Sequence, residues 1–382
     1  MKDFRFKVPQ IIEFGMGSLN KLPGILKEDQ SEHVFLISDR GLEKIGVVKK
    51  VQDIVEAGGL KCTTFLDVIP NPTVDVVNES AKCYQESGAT SIIALGGGSS
   101  MDVAKATGVL AKFGGAITDY EGLDKVPGPI VPIIAVPTTA GTGSEVTASA
   151  VITDEARNYK MSVISYEMLP KYAVLDPELI MSAPASIAAS CGIDALIHAL
   201  EAYLSNFASP FTDAMAEKAM ELIGANIRRF VANRKDEEAA CAMMAGSTFA
   251  GMAFAWARLG NVHAMSHPVS AYFHVAHGVA NAILLPTVIE YNALADSGRY
   301  EKIYNFIREK KEPAVDFKAQ MLVDEIRKLN ADLGIPSSLS EVGVTEDKIE
   351  NMAQDAVAHP NVLANPRQTN LKEMIELYKK AL

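Results

Sequence analysis

Cysteine is scarce in this 382-residue chain: Cys62, Cys83, Cys191 and Cys241 are widely separated, and no two stand at the spacing of a zinc-binding or redox pair. That pattern suits a reducing compartment, here the cytoplasm, and the four are read as free thiols, mostly in the core. Positive charge is also short, with 36 Lys and Arg against 47 Asp and Glu, a formal net charge of −11. A field of that sign repels phosphate backbones and anionic lipid surfaces, so nucleic acid and membrane are not expected partners. Residues 1–8 interleave charges with Phe4 and Phe6 and lack the continuous apolar stretch of a secretory signal; they read as an edge strand. The stretch 239–257 carries no charged residue, but its alanines and glycines with Ser247 and Thr248 leave it weakly hydrophobic. With no second stretch like it expected, it reads as a buried helix and not as a membrane span. Repeats, low-complexity segments and highly charged, weakly hydrophobic segments are lacking as well, which excludes solenoid and disordered architectures.

What is present is a composition with 48% hydrophobic and 22% charged residues, in a chain too long for one ordinary core. Two domains are therefore expected. In the first half, the short apolar runs 34–38, 64–69, 91–95 and 130–136 are each followed by glycine or proline and then by a helical stretch. Bulky and β-branched runs without polar alternation suit parallel strands covered on both faces, hence an α/β architecture. Further short strands are expected at 150–153, 161–165 and 172–175. After Pro184 helical periodicity takes over, which places an α/β domain at 1–184 and an all-helical domain at 185–382.

Four groups of residues carry chemistry. Gly96, Gly97, Gly98, Ser99 and Ser100 close one apolar run and open a helix, where glycines permit close backbone approach and first-turn N–H groups favour a phosphate. The usual dinucleotide fingerprint requires glycine where Met101 stands, so a plain strand-to-helix turn is an equal reading. Pro137, Thr138, Thr139, Ala140, Gly141, Thr142, Gly143, Ser144 and Glu145 form a second glycine and hydroxyl loop, able to hold a nucleotide or to cap the next helix. Asp39 ends the run 34–38, where a carboxylate either accepts from an adenosine ribose, favouring NAD over NADP, or caps a helix. Asp194 and His198, four apart in a helical stretch, share one face, and five of the seven histidines fall between His198 and His277. Three of them, His263, His267 and either His274 or His277, lie in an otherwise apolar region. Buried histidines without partners are costly, and a divalent metal is the economical shared partner: Fe(II), Zn(II), Ni(II) or Co(II) by ligand type.

Gly96 to Ser99 with Asp102, the loop Pro137 to Glu145, the stretch Gly192 to Glu201 and the stretch His263 to Pro286 together resemble the iron-containing, or group III, alcohol dehydrogenase family along nearly the whole chain. The resemblance implies a dehydroquinate synthase-like fold, an α/β dinucleotide-binding domain followed by a helical metal-binding and substrate domain. It implies metal ligands Asp194, His198, His263 and His277, with Fe(II) ahead of Zn(II), and it places His267 beside the metal. For NAD it points to Asp39, Asn71, Gly97, Gly98, Ser99, Thr138, Thr139, Thr142 and Lys160. Ser149 stands where a relative carries asparagine near the nicotinamide, and Phe254 matches an aromatic of the substrate channel. Trp256 and Arg258 replace small or amide residues, which leaves the exact substrate open.

The expected activity is hydride transfer between a small primary alcohol or diol, with its aldehyde, and NAD, with His267 or a ribose hydroxyl and water carrying the proton. The rivals are a glycerol dehydrogenase and a dehydroquinate synthase-like enzyme that uses NAD without net turnover. A homodimer or larger homo-oligomer is expected from the same resemblance.

Overall fold

The computed structural model describes residues 11–157, 159–309 and 316–382, so the strand expected at 1–8 lies outside the described residues. The described chain folds into two compact units: one holds residues 11–139 with Gly143–Ser182, the other Ala183–Leu382 with Ala140–Thr142.

The first unit is built on strands β1 (Ile11–Phe14), β2 (His33–Ile37), β3 (Lys61–Phe65), β4 (Ser91–Gly96), β5 (Gly122–Leu123), β6 (Ile133–Pro137), β7 (Ser149–Asp154), β8 (Tyr159–Ile164) and β9 (Tyr172–Leu175). Six of them form a sheet in the order β1-β9-β6-β4-β2-β3, with every pairing parallel. The unbroken apolar runs follow from burial on both faces. Phe35, Ile37, Ile92, Ala94, Ile133 and Ala135 point into one core, while the alternate residues Val34, Leu36, Ile93, Leu95, Ile134 and Val136 point into another. Helix α1 (Gly98–Phe113) follows β4 directly and contributes Met101, Val103, Ala104, Ala106, Val109 and Leu110 to the first of these cores. A small second sheet, β5-β8-β7, pairs β7 and β8 antiparallel.

The second unit is helical. Helix α2 (Ala185–Leu204) leads to α3 (Pro210–Ala232), α4 (Glu237–Ala257), α5 (Asn261–Phe273), α6 (His277–Asn292) and, later, α7 (Ile349–Ala358). Ser209 and Pro210 start α3, the serine hydroxyl accepting from the Thr212 N–H, and the Asp236 carboxylate accepts from the Ala239 N–H to start α4. Two expectations need correction. A second helix, α2, is long and apolar enough to cross a membrane by length and composition; like α4, most of its surface is buried within the fold. All four cysteines are half-buried thiols outside any disulfide, not core residues.

Candidate active site

Helix α2 places Asp194, His198 and Glu201 on one buried face at spacings of four and three. The Glu201 carboxylate organises the start of α5: it accepts from the Val262 N–H at 2.7 Å and lies 2.6 Å from His263 Nδ1. With Nδ1 engaged there, His263 Nε2 faces Asp194 Oδ1 at 3.6 Å. His198 is held the same way, its Nδ1 3.2 Å from the Gly141 carbonyl and its Nε2 3.8 Å from Asp194 Oδ2. The His198 and His263 rings stack at 4.7 Å, and the Phe254 ring covers His198 at 4.4 Å.

His277 opens α6, and the next residue explains how that helix comes so close. A Cβ on Gly278 would stand 2.1 Å from the Ser190 carbonyl oxygen and 3.3 Å from Asp194 Cβ, so only glycine permits the approach. One donor atom each from Asp194, His263 and His277 then lie within 4.8 Å of one another. Asn281, one turn after His277, sits at their focus, with Nδ2 2.6 Å from Asp194 Oδ1 and 3.1 Å from both His263 Nε2 and His277 Nε2. A carboxamide nitrogen has two protons for these three acceptors, and its own buried Oδ1 has no partner. Convergence of a carboxylate and imidazole nitrogens, with no cysteine, on so few protons is a donor set that a divalent cation fits.

The electrostatics agree with that fit. Burial pushes the Asp194 carboxyl up, but His198, His277 and His263 outweigh it and hold it well below the usual carboxylate range. Burial pushes His198 down to about 4 despite Asp194. Burial also opposes charge on His263, yet Asp194 and Glu201 raise it to about 9, so a proton competes with any cation for its Nε2.

His267 lies one turn beyond His263 on α5, its ring 5.2 Å from that of His277. Its Nδ1 is 3.1 Å from Nε2 of His359, a residue that sequence reasoning passed over. His274 is outside the cluster: exposed, at φ +56°, it terminates α5. Trp256 and Arg258 lie at the end of α4, where Arg258 has φ +64° and stacks its guanidinium 4.6 Å from the Phe207 ring. A cavity of about 270 Å³ in the helical unit, lined by Leu204, Asn206, Asp296 and Arg299 among others, includes none of the metal-facing residues.

In the α/β unit, Gly96 has φ +147°, and a Cβ there would strike the Ser100 hydroxyl at 2.4 Å. Gly97 precedes the first turn of α1 without a side-chain cap, and Gly97, Gly98 and Ser99 are only half-buried. Thr138 donates its N–H to the Gly96 carbonyl, joining the two loops, and Thr139 Oγ1 lies 3.4 Å from where a Gly97 Cβ would stand. Thr142 is half-buried in its loop. Lys160 donates to Asn71 Oδ1 at 2.8 Å, with Asn71 held at φ +54°. Asp39 is a helix cap, its Oδ1 accepting from the Leu42 N–H at 2.9 Å.

The second loop is anchored from behind by a residue absent from the sequence reading. Lys105, fully buried in α1, donates from Nζ to the Ser144 carbonyl (2.8 Å), Ser144 Oγ (2.9 Å), Thr147 Oγ1 (3.2 Å) and the Ser149 carbonyl (2.9 Å). Asp102 accepts from Ser144 Oγ and the Val151 N–H. Burial raises Asp102 to about 6 against the pull of Lys105, and lowers Lys105 to about 8 against Asp102 and Glu145.

Residues 9–177 match the family model described as iron-containing alcohol dehydrogenase, and residues 188–382 that of the Fe-containing alcohol dehydrogenase family, C-terminal. The chain is 39% identical over 372 residues to the lactaldehyde reductase of Escherichia coli strain K12, covering 96% of this chain and 97% of that protein. It is 36% identical over 378 residues to the NAD-dependent methanol dehydrogenase of Bacillus methanolicus, covering 99% of each. The solved structure of a 1,3-propanediol oxidoreductase superposes with a TM-score of 0.97 at 34% identity over 100% of each chain.

Proposed function

The chain belongs to the iron-containing alcohol dehydrogenase family, and we propose the residue roles by which it acts as an NAD- and divalent-metal-dependent alcohol dehydrogenase on small primary alcohols or diols and their aldehydes. The observation that carries the assignment is the convergence of Asp194, His263 and His277 donor atoms, with His198 beside them, on the single Asn281 amide. Asp194, His198, His263 and His277 would hold the metal, with Fe(II) favoured and Zn(II) the alternative. A metal held there would supply Lewis acidity toward a substrate hydroxyl, and bound NAD would supply the hydride acceptor.

The chain's own part is orientation and proton handling. Glu201 and Gly141 fix which nitrogen of His263 and His198 faces Asp194. Phe254, against His198, provides an apolar wall for the substrate carbon. His267 carries the proton away. The segment 1–184 supplies the dinucleotide site, with Gly97, Gly98 and Ser99 at the uncapped start of α1 for the diphosphate. Thr138, Thr139, Thr142 and Ser149 serve the nicotinamide side, while Asp39, Asn71 and Lys160 serve the remainder of the cofactor. The segment 185–382 supplies metal and substrate contacts. Four cysteines outside any disulfide support a cytoplasmic enzyme, and the family resemblance supports a homodimer or larger homo-oligomer, which light scattering after size-exclusion chromatography measures.

The test is anaerobic NADH formation from a panel of short primary alcohols and diols, by chelated protein and by protein reloaded with Fe(II) or Zn(II). Activity that returns only on reloading supports the roles. Absence of turnover with either metal, despite NAD binding, overturns them.

A further inference from the structure

We propose that Asn365 is a positioning residue for the metal centre, its one carboxamide and backbone carbonyl tying together the three helices that carry Asp194, His198, His263 and His277. The proposal rests on the reading of those four as metal ligands, while the contacts that carry it lie outside that set.

Helix α5 begins without a cap of its own. Gly260 stands at its N-cap position with no side chain to offer, although the first N–H groups of any helix lack intrahelical partners. Two residues distant in sequence supply the acceptors. Glu201 takes the Val262 N–H, and Asn365 Oδ1 takes the Asn261 N–H at 3.3 Å across 104 positions. A Cβ on Gly260 would stand 3.0 Å from both acceptor oxygens, so the glycine lets the two caps come in together. His263 belongs to this same first turn, the part of a helix that frays when its N–H groups go unpaired.

The remaining contacts of Asn365 fix where that cap stands. Its Nδ2 donates to Asn292 Oδ1 at 2.8 Å and to the Arg367 carbonyl at 2.7 Å, and its Oδ1 also accepts from Asn292 Nδ2 at 3.0 Å. Both protons and both lone pairs of the buried carboxamide are thus used. The Asn261 N–H can only donate and the Arg367 carbonyl can only accept, which excludes the flipped amide. Asn292 ends α6, the helix that His277 opens. The Asn365 backbone carbonyl accepts from Asn206 Nδ2 at 2.6 Å, just beyond the end of α2. Relative movement of α2, α5 and α6 must therefore stretch hydrogen bonds to this one residue. Asn365→Ala would leave the Asn261 N–H and the Asn292 amide without these partners in a buried setting, and His263 would lose its fixed place against Asp194 and His277.

The test compares wild type with Asn365→Ala and with Asn292→Ala, which keeps the capping oxygen but releases its orientation. The control is Asn226→Ala, which removes another buried amide of the helical unit, one bonded within α3 to the Leu222 carbonyl and Arg229. Each protein is loaded with Co(II), whose visible absorption bands report ligand geometry per bound ion, and Zn(II) affinity is read by competition with a chelator. Asn365→Ala should shift the bands and lose about tenfold in Zn(II) affinity, the lower end of the scale for partners that orient a ligand. Asn292→Ala should shift the bands in the same direction, and Asn226→Ala should lower the melting temperature with wild-type bands and affinity. Wild-type bands and affinity in both Asn365→Ala and Asn292→Ala overturn the proposal. An equal shift in Asn226→Ala also overturns it, because destabilisation alone would then account for the effect. If Asn365→Ala fails to fold, Asn292→Ala decides by the same two readings. A wild type that takes up no Co(II) overturns the metal reading and the proposal with it, whereas a metal-loaded wild type matched by its variants overturns the proposal alone.

Discussion

Glu201→Gln tests how the metal centre is prepared before any metal arrives. The native carboxylate holds the Val262 N–H with one oxygen and His263 Nδ1 with the other, at 2.7 and 2.6 Å, in a buried setting. The amide keeps the first contact but faces His263 Nδ1 with an N–H, so Nδ1 must become the acceptor and the proton moves to Nε2, the nitrogen pointed at Asp194. A protonated nitrogen cannot ligate a cation, and restoring it means breaking the new hydrogen bond. Loss of such a supporting partner costs about 10- to 100-fold in metal affinity, or about 1.4 to 2.7 kcal/mol. Competition between apo protein and a chelator of known Zn(II) affinity at fixed pH reads this directly, with circular dichroism confirming that the variant is folded. A Glu201→Gln protein that holds Zn(II) within about twofold of wild type would refute the reasoning.

Three further outcomes follow from separate parts of the structure. Gly278→Ala forces a Cβ to within 2.1 Å of the Ser190 carbonyl; α6 must shift, with a stability loss of about 1–3 kcal/mol in denaturant titration and weakened metal retention as His277 moves with it. Phe254→Ala removes the ring over His198 and should raise KM for short alcohols while leaving the NAD Kd unchanged, which steady-state and binding measurements separate. Burial lowers Lys105 to about 8, so between that pH and the ordinary lysine range the folded chain holds fewer protons than the unfolded one, and stability rises with pH. The advantage of wild type over Lys105→Met should accordingly grow from pH 8 to 10 in thermal melts; a gap that narrows contradicts the shift.

The readable parts of the sequence were those with local periodicity. The unbroken runs around Phe35, Ile93 and Ile134 signalled strands buried on both faces, because alternate residues serve two cores and neither face has a place for polar groups. Asp194 and His198 were visible through their four-residue spacing, and Asp39 through its position, although its helix-capping alternative is what the structure displays. Helix α2 was harder to see as a continuous apolar span because Asp194, His198 and Glu201 interrupt it, and their burial is explained only by partners far along the chain. Glu201 meets His263 across 62 positions, Lys105 meets Thr147 across 42, and His267 meets His359 across 92. Such pairs leave no periodic signal. Each member alone reads as an ordinary charged or capping residue until the fold brings its partner within hydrogen-bond distance.

The most direct test of the central assignment is an anomalous-scattering map, recorded at the zinc edge, of crystals of the Zn(II)-loaded protein. One peak bonded to Asp194, His198, His263 and His277, with the Asn281 amide drawn back from the ligand atoms it now touches, is the predicted result. A stoichiometric peak elsewhere, or a peak that leaves those four side chains unligated, would contradict the account.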